Sequence, residues 1–146
     1  MTGKRYFTWA DANALVPRLA EIFGVVAQLR PQLRTAYEKL DQLGAAPGGP
    51  PPKSPLSPEV ARLTAVFQGL YETLMEQLRE VEALGAMVKD IDRGLVDFYY
   101  DRDGREVLLC WHYGETEIGY WHDLHAGFAG RQPIEDRDRR RGRILH

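Results

Sequence analysis

Two long stretches with helical spacing of apolar residues, separated by a segment rich in proline and glycine, constrain the fold of this chain most strongly. In each stretch apolar residues recur at steps close to three and four, which is the spacing of a helix face that packs along a partner. The first stretch contains Leu15, Leu19, Ile22, Val26, Leu29, Leu33, Ala36, Leu40 and Leu43. The second contains Val60, Leu63, Phe67, Leu70, Leu74, Leu78, Val81, Leu84, Val88 and Ile91. The segment between them, GAAPGGPPPKSPLSP, cannot continue a helix or a strand, so the pattern predicts a long antiparallel helical hairpin of coiled-coil type.

The first predicted helix spans residues 8–43. Thr8 followed three residues later by Asp11 resembles a capping box and marks its start. Pro17 and Pro31 lie inside the pattern, and each removes a backbone hydrogen bond. A bend or break is therefore expected near one or both prolines.

The second predicted helix spans residues 58–93, after a connector at 44–57. Ser57 is a favourable N-cap, and Pro58 fits the first helical position. Gly94 is placed to end the helix in a left-handed conformation.

The sequence pattern changes after Gly94 to short segments with alternating, aromatic and β-branched residues. LVDFYY and EVLLCWHY flank DRDG, whose Asp-Gly pair is a strong hairpin signal, and EIGYWHDL forms a third segment. They predict a three-stranded antiparallel β-meander, which with the glycine-rich loop after it occupies residues 95–134. The expected fold class is α+β, with a single domain over residues 1–134 and an arginine-rich, charged tail over 135–146.

Composition narrows the range of functions. The chain has 146 residues with a formal net charge of −2, which fits one soluble domain and does not favour nucleic-acid binding. The N-terminus has no apolar signal-peptide segment, and no apolar run is long enough to span a membrane. A single cysteine, Cys110, is compatible with a reducing compartment. We therefore expect a cytoplasmic protein.

The tail contains the segment RDRRRGR, with five arginines. Glu135, Asp136 and Asp138 dilute this positive charge, and no aromatic residue is interleaved to stack on bases. We expect a tail that is solvated or docked on a partner, and nucleic-acid binding is not favoured.

Several elements of the last third of the chain occur together and in order: Leu-Cys-Trp, Gly-Glu, Trp-His-Asp and Gly-Phe-Ala-Gly-Arg. The segment DGREVLLCWHYGETEIGYWHDLHAGFAGRQPI resembles the signature region of a small prokaryotic family catalogued as a domain of unknown function, number twenty-two-oh-three. The segment YFTWADANALVPRLAEIF resembles the opening helix of that family. The resemblance extends to Ile134 and implies family membership but no particular activity. The matching residues are Cys110, Trp111, Glu115, Trp121, His122, Asp123, Gly127, Gly130 and Arg131, whereas His112 and His125 lie outside the pattern.

A metal site is one interpretation of the segment CWHYGETEIGYWHDLH. Cys110 and His122 could bind zinc or a similar divalent metal, with Glu115 or Asp123 as a further ligand. A three-residue hairpin loop would place His122 on the sheet face of Cys110, and a two-residue loop would place it on the opposite face. The alternative is a buried structural cysteine, which is the commoner role of a lone cysteine in a strand.

A ligand pocket and a catalytic site are further interpretations of the same region. Glu115, His122, Asp123 and Arg131 would form a polar pocket for a small anion or a metal, with Cys110 at its apolar floor. A catalytic mechanism with Cys110 as nucleophile and His122 as base is less favoured, because His122 and Asp123 point to opposite faces of a regular strand. The structural alternative for Arg131 is an ion pair with a carboxylate of the sheet.

Two classes of function remain. The favoured one is a non-enzymatic assembly or interaction protein, a homodimer built on the helical hairpin. Its basis is an apolar stripe on the second helix that is wider than one antiparallel partner covers: Phe67, Leu70, Tyr71, Leu74, Met75 and Leu78. The meander of the same chain is the competing cover for this stripe. The alternative function is binding of a small ligand or divalent metal, with or without enzymatic activity, at the meander.

Overall fold

Secondary structure follows the expected α+β order, with helices first and an antiparallel sheet after them. A computed structural model describes residues 4–52 and 57–140. The described residues divide into two units, one formed by residues 4–23 and 80–140 and the other by residues 24–52 and 57–79. In the described part of the chain, no helix combines the length and the hydropathy needed to cross a membrane.

The first helical stretch is two helices, α1 (Trp9–Asn13) and α2 (Val16–Gln42), where one helix over 8–43 was expected. The Thr8 side chain accepts a hydrogen bond from the Asp11 amide at 3.0 Å, which confirms the predicted cap. The break comes immediately before Pro17, which then lies in the first turn of α2, where a missing N–H costs least. The helix continues through Pro31.

The second helical stretch, α3, runs from Pro58 to Ala83, so the predicted end at residue 93 is wrong by ten residues. Its start is as predicted, because the Ser57 hydroxyl accepts a hydrogen bond from the Val60 amide at 3.0 Å. The helix ends at Gly85, which has a φ of 95°. The Ala86 amide then donates to the Val81 carbonyl at 3.4 Å, and this pattern is a Schellman motif.

Five antiparallel strands form the sheet in the order β1 to β5, where three strands were expected. The predicted meander corresponds to the three central strands, and a strand is added at each edge. The edge strands were missed because β1 continues the helical spacing of α3 and β5 has only two residues. The strands are β1 (Met87–Asp90), β2 (Leu95–Arg102), β3 (Arg105–His112), β4 (Tyr120–Asp123) and β5 (Gln132–Pro133).

Turns with positive φ connect the first three strands. Asp103 and Gly104 have φ values of 58° and 82°, as a two-residue type I′ turn requires, so the predicted Asp-Gly hairpin is confirmed. Gly94, expected as a helix cap, lies instead in the turn between β1 and β2 with a φ of 71°. A Cβ at this position would lie 2.6 Å from Cβ of Tyr113, so only glycine fits.

One face of the sheet forms the main core of its unit. Phe7 packs edge-on against Phe98 with ring centroids 5.0 Å apart, and Phe23 contacts Trp111 at 5.9 Å. Alternation along the strands places the buried residues of this face two positions apart. They are Val96, Phe98, Tyr100, Val107, Leu109 and Trp111.

The beginning of the expected tail belongs to this unit as a short helix, α4 (Asp136–Arg140). Asp138 is completely buried, and it accepts hydrogen bonds from the Tyr100 hydroxyl at 2.7 Å and from Nε of Arg102 at 3.0 Å. Burial alone would raise the pKa of Asp138, but the hydrogen bonds from the Glu135 amide, Tyr100 and Arg102 outweigh it and lower the pKa. The remaining tail, 141–146, lies outside the described residues.

The second unit is the helix pair formed by the adjoining parts of α2 and α3. Ala36 and Leu40 of α2 and Leu63 of α3 are buried. Tyr37 and Phe67 also meet, with ring centroids 6.4 Å apart. The pair therefore packs through the residues that the helical spacing placed on one face.

Candidate functional site

The sheet face opposite the aromatic core carries three polar residues on three consecutive strands. Asp97 of β2 is directly opposite Cys110 of β3, and His122 of β4 is opposite Leu108 of β3. Leu108 and Cys110 are two positions apart, so all three polar side chains point to the same face. This is the register that a three-residue hairpin loop would give, although β3 and β4 are joined by the longer segment 113–119.

The side chains of Asp97, Cys110 and His122 form a compact, buried group. A carboxylate oxygen, Sγ and an imidazole nitrogen all lie within 4.8 Å of one another. The three residues are only 1–3% exposed. In the part of the chain that the structure describes, no other group of three or more acidic, histidine or cysteine side chains converges in this way.

Hydrogen bonds fix the orientation of the His122 ring. Nδ1 lies 2.8 Å from the Asp123 carbonyl, which can only accept, so Nδ1 carries a proton and donates. Nε2 lies 3.1 Å from Oδ2 of Asp97. Hydrogen bonds to Asp97 and Cys110 raise the pKa of His122 to about 10, so without a competing ligand the ring is a cation paired with Asp97.

The arrangement differs from a nucleophile–base–orienter triad. In a triad the base contacts the nucleophile through one nitrogen and the orienting acid through the other. Here Nε2 of His122 lies 3.1 Å from Oδ2 of Asp97, and its Nδ1 is occupied by a backbone carbonyl. Sγ of Cys110 lies within 4.8 Å of the ligand atoms of both residues. An oxygen and a sulfur therefore converge beside one ring nitrogen.

One carboxylate oxygen of Asp97 has no partner in the described part of the chain. Oδ1 is buried and accepts no hydrogen bond from residues 4–52 or 57–140. A carboxylate oxygen in this position costs free energy unless a donor or a cation satisfies it.

A cavity of about 190 Å³ adjoins the group and connects it with the surface. Asp97, Cys110 and His122 form its buried floor. The rim comes from β1, from the start of β2 and from the loop after β4. The rim residues include Lys89, Leu95, Leu124, His125 and Phe128.

A protein-family model described as "Uncharacterized conserved protein (DUF2203)" matches residues 5–134 of the chain. The chain belongs to this family. No curated protein and no solved structure gave a significant match. The region shared with the DUF2203 family contains all three residues of the buried group and ends just before α4.

Two of the predicted site residues of this DUF2203 protein, Glu115 and Arg131, form a separate ion pair. A terminal nitrogen of Arg131 lies 2.7 Å from Oε1 of Glu115 and also donates to the Cys110 carbonyl at 3.2 Å. The guanidinium stacks over the Tyr120 ring at 4.1 Å. The structural alternative for Arg131, an ion pair with a carboxylate, is therefore the arrangement in the structure.

Asp123 takes part in the site through its backbone. Its carbonyl accepts the hydrogen bond from Nδ1 of His122, whereas its carboxylate pairs with Arg105. The two side chains of the His122–Asp123 pair point to opposite faces, as strand alternation predicted.

Asp97 is the member of the group that the sequence prediction missed in this DUF2203 chain. The sequence did contain a signal for Asp97, because it is the only charged residue of the otherwise apolar and aromatic segment LVDFYY. A charged residue inside a buried strand is rarely retained without a partner. Its partner could not be identified without the pairing of β2 with β3.

Proposed function

We propose that this protein binds a divalent metal ion of the zinc class through Asp97, Cys110 and His122. One observation carries the proposal: three buried donors of different chemistry have their ligand atoms within 4.8 Å of one another. The buried Oδ1 of Asp97, which has no hydrogen-bond partner among the residues that the structure describes, provides independent support.

The donor set favours zinc over magnesium or calcium. Zinc binds thiolate, imidazole and carboxylate groups, whereas magnesium and calcium prefer sites made of oxygen alone. Three protein ligands leave one tetrahedral position for a water molecule or another ligand. All three residues line the same cavity, which offers a route for the ion and space for that fourth ligand.

The outer contacts of His122 also suit a metal ligand. A histidine that binds a metal through one nitrogen generally donates its other N–H to a carboxylate or a backbone carbonyl. Nδ1 of His122 makes this bond with the Asp123 carbonyl at 2.8 Å. Binding would therefore require loss of the proton on Nε2 of His122 and of the Cys110 thiol proton, and the ion would replace the cation that now pairs with Asp97.

Calorimetric titration of the untagged, chelator-treated protein with zinc tests the proposal. We expect one zinc per chain. At a free concentration a hundred times the Kd, the gain in unfolding free energy should be about 2.7 kcal/mol. Asp97→Asn, Cys110→Ser and His122→Gln should each weaken zinc binding by about a hundredfold or more. A hundredfold is the largest loss of metal affinity usually seen when a residue that only supports a metal ligand is changed.

Matched controls are available for two of the three ligands. Asp101→Asn and His112→Gln change an acid and an imidazole outside both the donor group and the cavity lining, and should leave zinc affinity within twofold. Wild-type protein that takes up no zinc, or ligand variants that bind as well as the controls, would contradict the metal site.

We also propose that the helix pair mediates homodimer formation, as the apolar stripe of α3 predicted. Val66 and Tyr71 are 45% and 49% exposed although both are large and apolar. Tyr71 also stacks on Phe67, with ring centroids 6.2 Å apart. The described part of this unit carries as many basic as acidic side chains, so two copies would meet without net repulsion.

Light scattering at micromolar concentration tests the dimer. We expect a dimeric mass for the wild type and a monomeric one for Val66→Glu/Tyr71→Glu. Glu59→Gln, a control at an exposed position of the same helix, should remain dimeric. A monomeric wild type would refute this proposal without affecting the metal site.

The proposed metal site needs Cys110 in its reduced form. We therefore infer that the protein acts in the cytoplasm, where thiols are kept reduced.

A further inference from the structure

We propose that the cavity beside the metal site binds a small monocarboxylate with a short apolar tail, and that its carboxylate is the fourth ligand of the metal. This inference rests on the proposed metal site and identifies the class of molecule that the site would take. Three features of the cavity support it: a lysine with no ion-pair partner among the described residues, a balance of charge, and an apolar rim.

The lysine is Lys89, which the β-bulge between β1 and β2 brings to the cavity. Val88 pairs with Val96 and Asp90 pairs with Leu95, so Lys89 is the extra residue between two regular pairs. Bulges of this kind re-aim side chains and are common beside functional sites. Lys89 lines the cavity, and within the described residues its ammonium makes no ion pair or hydrogen bond.

The combined charge of the metal centre and Lys89 favours a monoanion as the fourth ligand. A divalent ion held by the carboxylate of Asp97 and the thiolate of Cys110 forms a centre with no net charge. One further negative charge in the fourth position is then matched by the ammonium of Lys89. A dianion such as hydrogen phosphate would leave one charge uncompensated beside a buried floor.

The remaining lining selects a short apolar tail. Leu95 is buried, whereas Leu124 and Phe128 at the mouth are 37% and 38% exposed. Contact with the tail of a ligand would cover these exposed apolar surfaces. The volume of about 190 Å³ is below the usual range for drug-sized ligands and fits only a small molecule.

The visible spectrum of the cobalt-loaded protein tests this inference, because ligand-field bands of cobalt respond to a change of ligand at the metal. We expect butyrate to change the spectrum with saturation and to bind more tightly than acetate. Lys89→Met should weaken butyrate about tenfold or more at unchanged cobalt affinity. Lys39→Met, a lysine of the helix pair, is the matched control and should behave as wild type. Phe128→Ala should reduce the preference for butyrate over acetate.

The outcomes separate this inference from the metal site. Stoichiometric cobalt binding with no spectral response to butyrate or acetate would refute the carboxylate as fourth ligand but not the metal site. So would tighter binding of phosphate than of butyrate, or equal butyrate affinity in Lys89→Met and Lys39→Met. Failure of cobalt to bind at all would overturn both proposals.

Discussion

The imidazole of His122 and the carboxylate of Asp97 meet above Cys110, although their strands β4 and β2 are not neighbours in the sheet. Nε2 of His122 lies 3.1 Å from Oδ2 of Asp97, and both residues are buried. Such a pair costs desolvation free energy that only good geometry or a bound ion offsets. Its position at the floor of a cavity is why we assign it a function as well as a structural role.

In metal-free protein, His122→Leu should lower the free energy of unfolding by about 3–5 kcal/mol, because it leaves Asp97 buried without its cationic partner. The double variant Asp97→Val/His122→Leu removes both charges and should recover much of this loss. Urea unfolding with a chelator present measures both values.

The control for this comparison is His125→Leu at the exposed rim, which should change stability by no more than about 0.5 kcal/mol. If the double variant were as unstable as His122→Leu alone, the loss would come from packing, and the account of a charge left unpaired would be wrong.

Part of this site was predictable from local sequence. Strand alternation places Cys110 and His122 on one face once the register is known. Loops of two and three residues were the alternatives considered, and the structure has the register of the three-residue loop although the connection is the longer segment 113–119. Asp97 could not be assigned, since its contact with His122 depends on the pairing of three strands. Glu115 was predicted as a ligand from proximity in sequence, whereas the structure pairs it with Arg131.

The fold shows the same division between local and long-range information. The caps at Thr8 and Ser57 and the Asp-Gly hairpin were predictable, because each depends on a few adjacent residues. The end of α3 was misplaced because Val88 of β1 continues the helical spacing beyond Gly85. Short apolar segments do not distinguish strand from helix by periodicity alone.

The stability of the protein should fall in acid through Asp138. Its pKa is lower in the folded chain than the ordinary value of 3.8, because hydrogen bonds from Glu135, Tyr100 and Arg102 outweigh the effect of burial. A carboxylate of this kind stabilises the fold fully above its ordinary pKa, and the contribution is lost as the pH falls through the lower folded value. Asp138→Asn should therefore be less stable than wild type at pH 6 by about 1–3 kcal/mol, and this difference should narrow towards pH 2.

Urea unfolding across this pH range checks the prediction, with Asp136→Asn on the exposed side of α4 as the control. If the loss of stability of Asp138→Asn relative to wild type stayed constant down to pH 2, the charge on Asp138 would not stabilise the docked helix.

Gly94 and Gly114 provide a test of how closely the turn before β2 is held against Tyr113. Both have positive φ, so alanine at either position bears the cost of a left-handed conformation, about 1–2 kcal/mol. Only Gly94 also has a neighbour in the way, since a Cβ there would lie 2.6 Å from Cβ of Tyr113. Gly94→Ala should be the more destabilising by about 1–3 kcal/mol in thermal unfolding, the usual range for overpacking. Equal losses for the two variants would show that the turn moves away from Tyr113 freely.

X-ray absorption at the zinc edge of the zinc-loaded protein shows whether Asp97, Cys110 and His122 together hold one metal ion. We expect one sulfur at about 2.3 Å from the zinc and three nitrogen or oxygen atoms at about 2.0–2.2 Å. Cys110→Ser should remove the sulfur contribution and leave only nitrogen and oxygen ligands. A wild-type spectrum with no sulfur bound to the zinc would place the ion elsewhere and rule out this metal site.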